Sequence, residues 1–282
     1  MAALNRAYPS PRALLDKYGL RAKKSWGQNF LGDEEILDHI AQLAVTAPGE
    51  RVVELGAGLG HLTARLLARG ARVVAVERDR DMAAVLRGEL GDRIRLLEAD
   101  AVKLDYGALL GGEGKLSVVG NLPYHLTSPI LFALLDRVEV VSRAVFLVQR
   151  EVAERLSAEP GVKDWGLLSV LLQHRADVTL EGRVPPGAFL PPPEVESAVV
   201  RIAFRPPRAA IVDPARFRRL VKAGFAQRRK VLANALASAR LAPPERMAAA
   251  LADAGIDDRR RGETLTVEEW AALERALEAG SR

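Results

Sequence analysis

The chain has 282 residues, 49% of them hydrophobic, and no cysteine. That length suits one core of roughly 200 residues plus a smaller appendage, while the missing cysteines exclude disulfides, thiolate metal sites and cysteine nucleophiles and point to a reducing, cytoplasmic compartment. The formal charge of +5 is unevenly placed: residues 1–30 hold six Lys or Arg against Asp16 alone, 31–207 hold 20 basic and 25 acidic residues, 208–240 hold nine basic residues against Asp213 alone, and 241–282 are net −3.

Two basic segments flanking a slightly acidic middle are the footprint of a polyanion binder, although solvated basic helix faces give the same count. No apolar run approaches the ~18 residues of a membrane span, and the first twenty residues lack the apolar core of a signal peptide. In chain order, Ser10 as N-cap, Pro11 at the first helical position and Gly19 as the stop predict a short helix in an N-terminal arm. The following RAKKSWGQNFL, residues 21–31, is too polar and glycine-bearing for core.

From Arg51 the pattern alternates: RVVEL as strand, HLTARLLAR as helix, ARVVAVE as strand, RDMAAVLRGEL as helix and RIRLLEA as strand. LSVVGN as strand, SPILFALLDR as helix, AVFLVQ as strand and EVAERLSA as helix continue it. This predicts an α/β, Rossmann-like, doubly wound and mainly parallel sheet. DVTLEGRV and ESAVVRIAF, on either side of a proline-rich loop, predict two late strands as an antiparallel edge. The break at RPPRAA, 205–210, closes this domain, and FRRLVKAGFAQRRKVLANALASAR, PERMAAALADAG and VEEWAALERALEAG carry helical period only. The expected organisation is therefore a basic arm with a short helix at 1–32, a catalytic domain at 33–207 and a small all-α domain at 208–282.

RVVEL runs into GAGLG, with Gly56, Gly58 and Gly60 ahead of an apolar helix. A dinucleotide fingerprint would need glycine at 61, which is His61, so the pattern is E-x-G-x-G-x-G with acidic Glu54 at the strand end. A carboxylate there opposes a pyrophosphate and suits an ammonium or a sulfonium. Glu77 ends the second strand, where an acid can accept both hydroxyls of a ribose, and Asp100 ends the third, where it can accept from an adenine amino group. Each acid alone is equally well an N-cap or a solvated strand end. Together they resemble the nucleoside site of S-adenosylmethionine methyltransferases, from about Gly27 to Arg205.

The fourth strand ends in NLPY, Asn121 to Tyr124, which resembles the [DNS]-P-P-[YFW] motifs of enzymes that methylate planar nitrogens. An exocyclic aromatic amine is a poor nucleophile because its lone pair is delocalised. Acceptors from the Asn121 side chain and the Leu122 carbonyl would pull its hydrogens out of plane, Pro123 would stiffen the turn, and Tyr124 would offer a stacking face. The same stretch is also an ordinary strand-to-helix turn with Pro129 at the first helical position. No nucleophilic triad or metal-ligand spacing is visible among His39, His61, His125 and His174. The motif class alone leaves adenine, cytosine and protein glutamine open.

The ordered set GQNFL (27–31), ELGAGLG (54–60), NLPY, FLPPPEVES (189–197) and FAQRRKVLANAL (225–236) resembles the KsgA/RsmA family of small-subunit rRNA adenine N6,N6-dimethyltransferases over nearly the whole chain. The resemblance implies S-adenosyl-L-methionine as cofactor, S-adenosyl-L-homocysteine as product and no metal. It implies that Asn29 and Leu31 help cover the cofactor, that Gly56, Gly58, Glu77, Asp100 and Asn121 lie beside it, and that Tyr124 and Phe189 sandwich the target adenine. Phe189, taken by itself, is equally a core residue. The implied substrate is two adjacent adenosines in the 3′-terminal hairpin of 16S rRNA, on an immature 30S particle, with a part in small-subunit biogenesis. Lys23, Lys24, Arg218, Arg219, Lys222, Arg228, Arg229 and Lys230 are the expected RNA contacts, and a cytoplasmic monomer is the expected state. Trp26 stands where the family is expected to carry Phe or Tyr, and Ala57 where Pro is common.

Overall fold

A computed structural model describes residues 8–23, 26–112, 114–227 and 229–279, with Tyr124 described by its backbone alone. The chain divides into two compact units, one of residues 1–153 and 179–204, the other of residues 154–178 and 205–282.

In the first unit, helix α1 (Pro11–Lys17) starts at Ser10, whose hydroxyl accepts from the Ala13 amide. Strand β1 (Phe30–Leu31) leads to α2 (Glu34–Ala44), capped by Asp33 and carrying Glu34 and Glu35 in the first turn, where carboxylates suit the helix dipole. Then β2 (Arg51–Leu55), α3 (His61–Ala68), β3 (Arg72–Val76), α4 (Arg80–Leu90), β4 (Arg95–Leu97), the short α5 (Tyr106–Leu110), β5 (Leu116–Asn121), α6 (Thr127–Leu135) and β6 (Val141–Gln149) alternate as the sequence requires. After α7 (Arg150–Ser157) and α8 (Leu167–Arg175) come β7 (Ala176–Val184), the two-residue β8 (Phe189–Leu190) and β9 (Ser197–Phe204). The seven-stranded sheet has the order β4-β3-β2-β5-β6-β9-β7, parallel from β4 through β6, with β9 antiparallel to β6 and β7 at the edge.

The order places β2 beside β5 while their successors run to opposite sides, so the crevice at their carboxyl ends is the sheet's switch point. Gly120 makes that crevice possible: a Cβ there would lie 2.5 Å from the Leu55 carbonyl oxygen. The central strands read as continuous apolar runs because both faces are covered, with Leu116 to Gly120 all buried. A separate ribbon pairs β1 with β8 antiparallel, Phe30 opposite Leu190 and Leu31 opposite Phe189. Two-residue strands are invisible to periodicity, and this pairing was not among the expectations.

The second unit is helical: α8, α9 (Pro214–Ala226), α10 (Leu232–Ala239), α11 (Pro244–Asp253) and α12 (Val267–Ala279). Its centre is Trp270, over which a Cβ at Gly224 would clash at 2.2 Å. Glu274, fully buried, accepts from the Val212 and Asp213 amides and from the Arg216 guanidinium. Residues 154–178, expected in the catalytic domain, belong to this unit. Buried Trp165 explains why: its indole donates to the Leu265 carbonyl at 3.1 Å. The predicted helix over 217–240 is two helices, because Gln227 leaves helical geometry at φ −133°, ψ 68°. Among the described residues no helix is long and apolar enough to cross a membrane.

Candidate active site

The glycine turn after β2 receives its shape from two sides. Gly58 sits at φ +54°, its amide donates to Glu77 Oε2 at 2.8 Å, and a Cβ would lie 3.3 Å from the Phe30 ring. Glycine therefore answers both the left-handed turn and the close approach of residues 26–31, which cross above it.

Glu77 follows β3 and is largely buried, its Oε1 accepting from the Asp79 amide at 2.8 Å. Burial raises its pKa, against the pull of the Asp79, Gly58 and Arg78 amides. Glu54, 2% exposed, accepts a 2.6 Å hydrogen bond from the Thr63 hydroxyl. Burial pushes its carboxyl up to about 8, nearby Glu77 adding to the rise and the Thr63 donors opposing it. Among the described residues neither acid has a cationic partner. Asp100 caps the turn Ala101–Lys103 through Oδ1, which accepts from the Val102 amide.

At the end of β5 the Asn121 Nδ2 donates to the Asn29 carbonyl at 2.8 Å. A carbonyl only accepts, so the amide nitrogen faces Asn29 and Oδ1 is left as the free acceptor. The Leu122 amide donates to the Leu147 carbonyl on β6, fixing the turn to the sheet, and the Leu122 side chain is buried. Asn29, Gly56, Gly58, Glu77 and Asp100 line one cavity of about 400 Å³, together with Asn121, Leu122, Pro123 and Phe189. That is ample for a small-molecule site. Phe189 is 6% exposed and belongs to the core cluster while also bordering the cavity. Leu31 and Glu54 do not line this cavity; they border a side pocket of about 50 Å³ that shares Gly56, Gly58, Phe30 and Asn121 with it.

The model of the family described as ribosomal RNA adenine dimethylase matches residues 19–278. The chain belongs to the ribosomal RNA adenine dimethylase family. It is an S-adenosylmethionine-dependent methyltransferase. It is 71% identical to the ribosomal RNA small subunit methyltransferase A of Anaeromyxobacter sp. (strain K), over 96% of this chain and 98% of that one. To the protein of the same name in Myxococcus xanthus (strain DK1622) it is 54% identical, over 95% of each. Among solved structures, the 23S rRNA methyltransferase ErmE is 27% identical with a TM-score of 0.67, over 89% of this chain and all of that one. A dimethyladenosine transferase from Plasmodium falciparum, 22% identical with a TM-score of 0.74 over 89% of this chain and 98% of that one, shares the fold.

The donor set fits the dimethylase family's cofactor. Glu54 and Glu77 are buried acids without a cation, raised by burial, which a sulfonium or an ammonium would favour in the ionised form, and Glu77 and Asp100 offer acceptors to ribose hydroxyls and an adenine amine. Lys23, expected among the RNA contacts, has a side chain 37% exposed, and its ammonium bonds both Asp79 oxygens and Asp81, at 2.7–2.9 Å. Lys24, Arg228 and the Tyr124 side chain lie outside the described residues. Arg219, Lys222, Arg229 and Lys230 are exposed and Arg218 half-buried in the helical unit, with Phe217, Leu220 and Val221 buried behind α9. Cavity residues not anticipated are Gln28, Arg78, Met82 and His125, along with Trp26 on the arm. Gln28 lies within GQNFL, but no periodicity or motif chemistry marks which of those side chains turn inward.

Proposed function

We propose that the chain transfers methyl groups from S-adenosylmethionine to N6 of two adjacent adenosines in the 3′-terminal hairpin of 16S rRNA, dimethylating each. The observation that carries this is the Asn121 amide, held with Oδ1 free at the switch-point end of the cavity. Its setting is a chain 71% identical to a small-subunit rRNA methyltransferase and 27% identical to a 23S one.

When bound, the cofactor supplies an electrophilic methyl group on a sulfonium. Asn121 Oδ1 and the Leu122 carbonyl accept the two hydrogens of the adenine amine and localise its lone pair toward that methyl. Pro123 keeps the carbonyl in place, and Phe189, with Tyr124, stacks the unpaired base. The remaining work is positioning and exclusion of water, since the transfer needs a near-attack geometry more than an acid or a base. Each transfer breaks the sulfonium C–S bond to leave the neutral thioether of S-adenosylhomocysteine, and the methylated nitrogen releases one proton to solvent; at the second transfer the amine therefore carries one methyl and one hydrogen, so one acceptor suffices and the other side of the pocket must admit a methyl group.

Arg219, Lys222, Arg229 and Lys230, with Arg218 and Arg228, are assigned to phosphate contacts that give affinity and register rather than base identity. An immature 30S particle as substrate, a role in its biogenesis, a monomeric enzyme and a cytoplasmic site of action complete the proposal. The test is mass mapping of rRNA after incubation with labelled cofactor and unmethylated small subunits. Dimethyladenosine at two adjacent positions near the 16S 3′ end is the expected product; methylation of large subunits instead, or none despite cofactor binding, refutes it.

A further inference from the structure

Residues on the arm do more than cover the cavity. Trp26 to Phe30 line it, and the Asn29 carbonyl holds the Asn121 amide. That carbonyl is fixed on both sides. On its carboxyl side Phe30 pairs with Leu190 and lies against Gly58. On its amino side Gln28 Nε2 donates to Asp79 Oδ2 at 2.7 Å while Gln28 Oε1 accepts from the Lys23 amide at 2.8 Å. The Lys23 ammonium closes the arrangement on both Asp79 oxygens and on Asp81.

Asp79 is only 2% exposed, and the Lys23 and Gln28 donors, with the Asp81 amide, hold its carboxyl below the usual range despite its burial. One oxygen, Oδ1, caps α4 by accepting from the Asp81 amide at 3.0 Å. The other, Oδ2, serves the arm alone, through Lys23 and Gln28. Lys23 shares Oδ1 with the cap, whereas the Gln28 contact is confined to Oδ2 and can be separated from the cap by chemistry.

We propose that Asp79 is a positioning residue for methyl transfer: through Gln28 and Lys23 it latches the arm, so that the Asn29 carbonyl sets the orientation of the Asn121 amide. This rests on the reading that Asn121 Oδ1 receives the target amine. Without the latch the Asn29 carbonyl loses its amino-side anchor, and the Asn121 amide is free to rotate and present its NH₂ group to an amine that needs an acceptor. The latch thus acts on the rate of the chemical step, beyond any effect on cofactor retention.

Asp79→Asn keeps an oxygen for the Asp81 amide and for Lys23, which also retains Asp81, and turns a donor toward Gln28 Nε2, opening the Gln28 side of the latch while retaining the helix cap. Gln28→Glu in that background restores an acceptor opposite the new donor and a negative charge beside Lys23. Single-turnover rates at saturating cofactor should fall ~10-fold or more in Asp79→Asn, as small displacements in a reaction centre do. They should fall likewise in Gln28→Glu, where two carboxylates oppose each other, and return to within about threefold of the unmodified enzyme in the double variant, a coupling that double-mutant analysis isolates. Thermal melts and a cofactor titration accompany each variant. If Asp79→Asn raises only the cofactor KM and regains the full rate at saturation, the arm is a cover and the proposal is overturned. An unchanged rate, or a double variant no better than the singles, overturns it as well. The Asn121 side-chain amide protons, observed by ¹⁵N NMR and assigned with Asn121→Ala, give a readout that needs no RNA. Their exchange protection with cofactor bound should be lost in Asp79→Asn and regained in the double variant. If the unmodified enzyme makes no dimethyladenosine, the substrate reading fails by itself while this measurement still decides the latch.

Discussion

Glu54→Gln separates the charge of the most perturbed acid from its shape. Glutamine keeps an oxygen for the Thr63 hydroxyl, which donates at 2.6 Å, and removes the ionisable proton. In the free protein burial lifts the Glu54 carboxyl from 4.5 to about 8. That shift corresponds to about 5 kcal/mol of preference for the protonated form, as an order of magnitude. The sign follows from linkage: a folded-state pKa above the unfolded value gives stability that is complete below about pH 4.5 and lost as pH rises to about 8. Without ligand, Glu54→Gln should therefore match the parent protein's melting temperature near pH 5 and exceed it at pH 9, by several degrees or more.

On the expectation that the cofactor's charge reaches Glu54, binding reverses the preference. A sulfonium and an ammonium favour the ionised carboxylate, so binding to the parent protein releases a proton and affinity should rise with pH, approaching tenfold per unit below the Glu54 pKa. S-adenosylhomocysteine has the same amino group and a neutral sulfur. Its affinity should depend less on pH, and the difference between the two ligands isolates the sulfonium. Calorimetric titration of both ligands at pH 6, 7, 8 and 9 measures this. Glu54→Gln should weaken binding of the charged cofactor at pH 8 and flatten its pH dependence. Equal slopes in parent and variant would refute the assignment of Glu54, and equal slopes for the two ligands would refute the sulfonium as the charge it senses.

Asn121→Ala should lower kcat by roughly 10²–10³-fold with cofactor affinity within a few-fold, measured by single-turnover methylation and calorimetry. Neutralising Arg219, Lys222, Arg229 and Lys230 together should flatten the plot of log affinity for RNA against log salt by ~0.7–0.9 for each phosphate that no longer meets a cation, with kcat at saturating RNA retained. Gly120→Ala forces a Cβ to 2.5 Å from the Leu55 carbonyl and should lower both stability, by about 1–3 kcal/mol in urea unfolding, and cofactor affinity. Glu274→Ala removes one of the two carboxylates that Arg216 bonds, Glu278 remaining, and strips the acceptor from two backbone amides inside the helical unit; it should cost about 1–3 kcal/mol in the same measurement.

The parts of the site that the sequence made legible are those whose chemistry is local. RVVEL and LSVVGN are strands over the predicted residues, since strands covered on both faces read as apolar runs, and Glu77 and Asp100 line one cavity, with Glu54 at the adjoining side pocket, because parallel strands all deliver their carboxyl ends to one edge. Charge placement at Arg219 and Lys222 was legible for a similar reason: the helical period that buries Phe217, Leu220 and Val221 exposes them. The break at Gln227 was not, because no Gly or Pro marks it.

What escaped was set by partners far apart in the chain. Lys23 read as a free cation because its neighbours in sequence are basic and polar, yet Asp79 and Asp81 lie 56 and 58 residues on. The same holds for Leu31 and Phe189, which meet across a ribbon too short for any period to announce. The acids at the start of α4 bond Lys23, and Asp79 also holds Gln28, so the charge of Lys23 is paired within the fold before any substrate arrives.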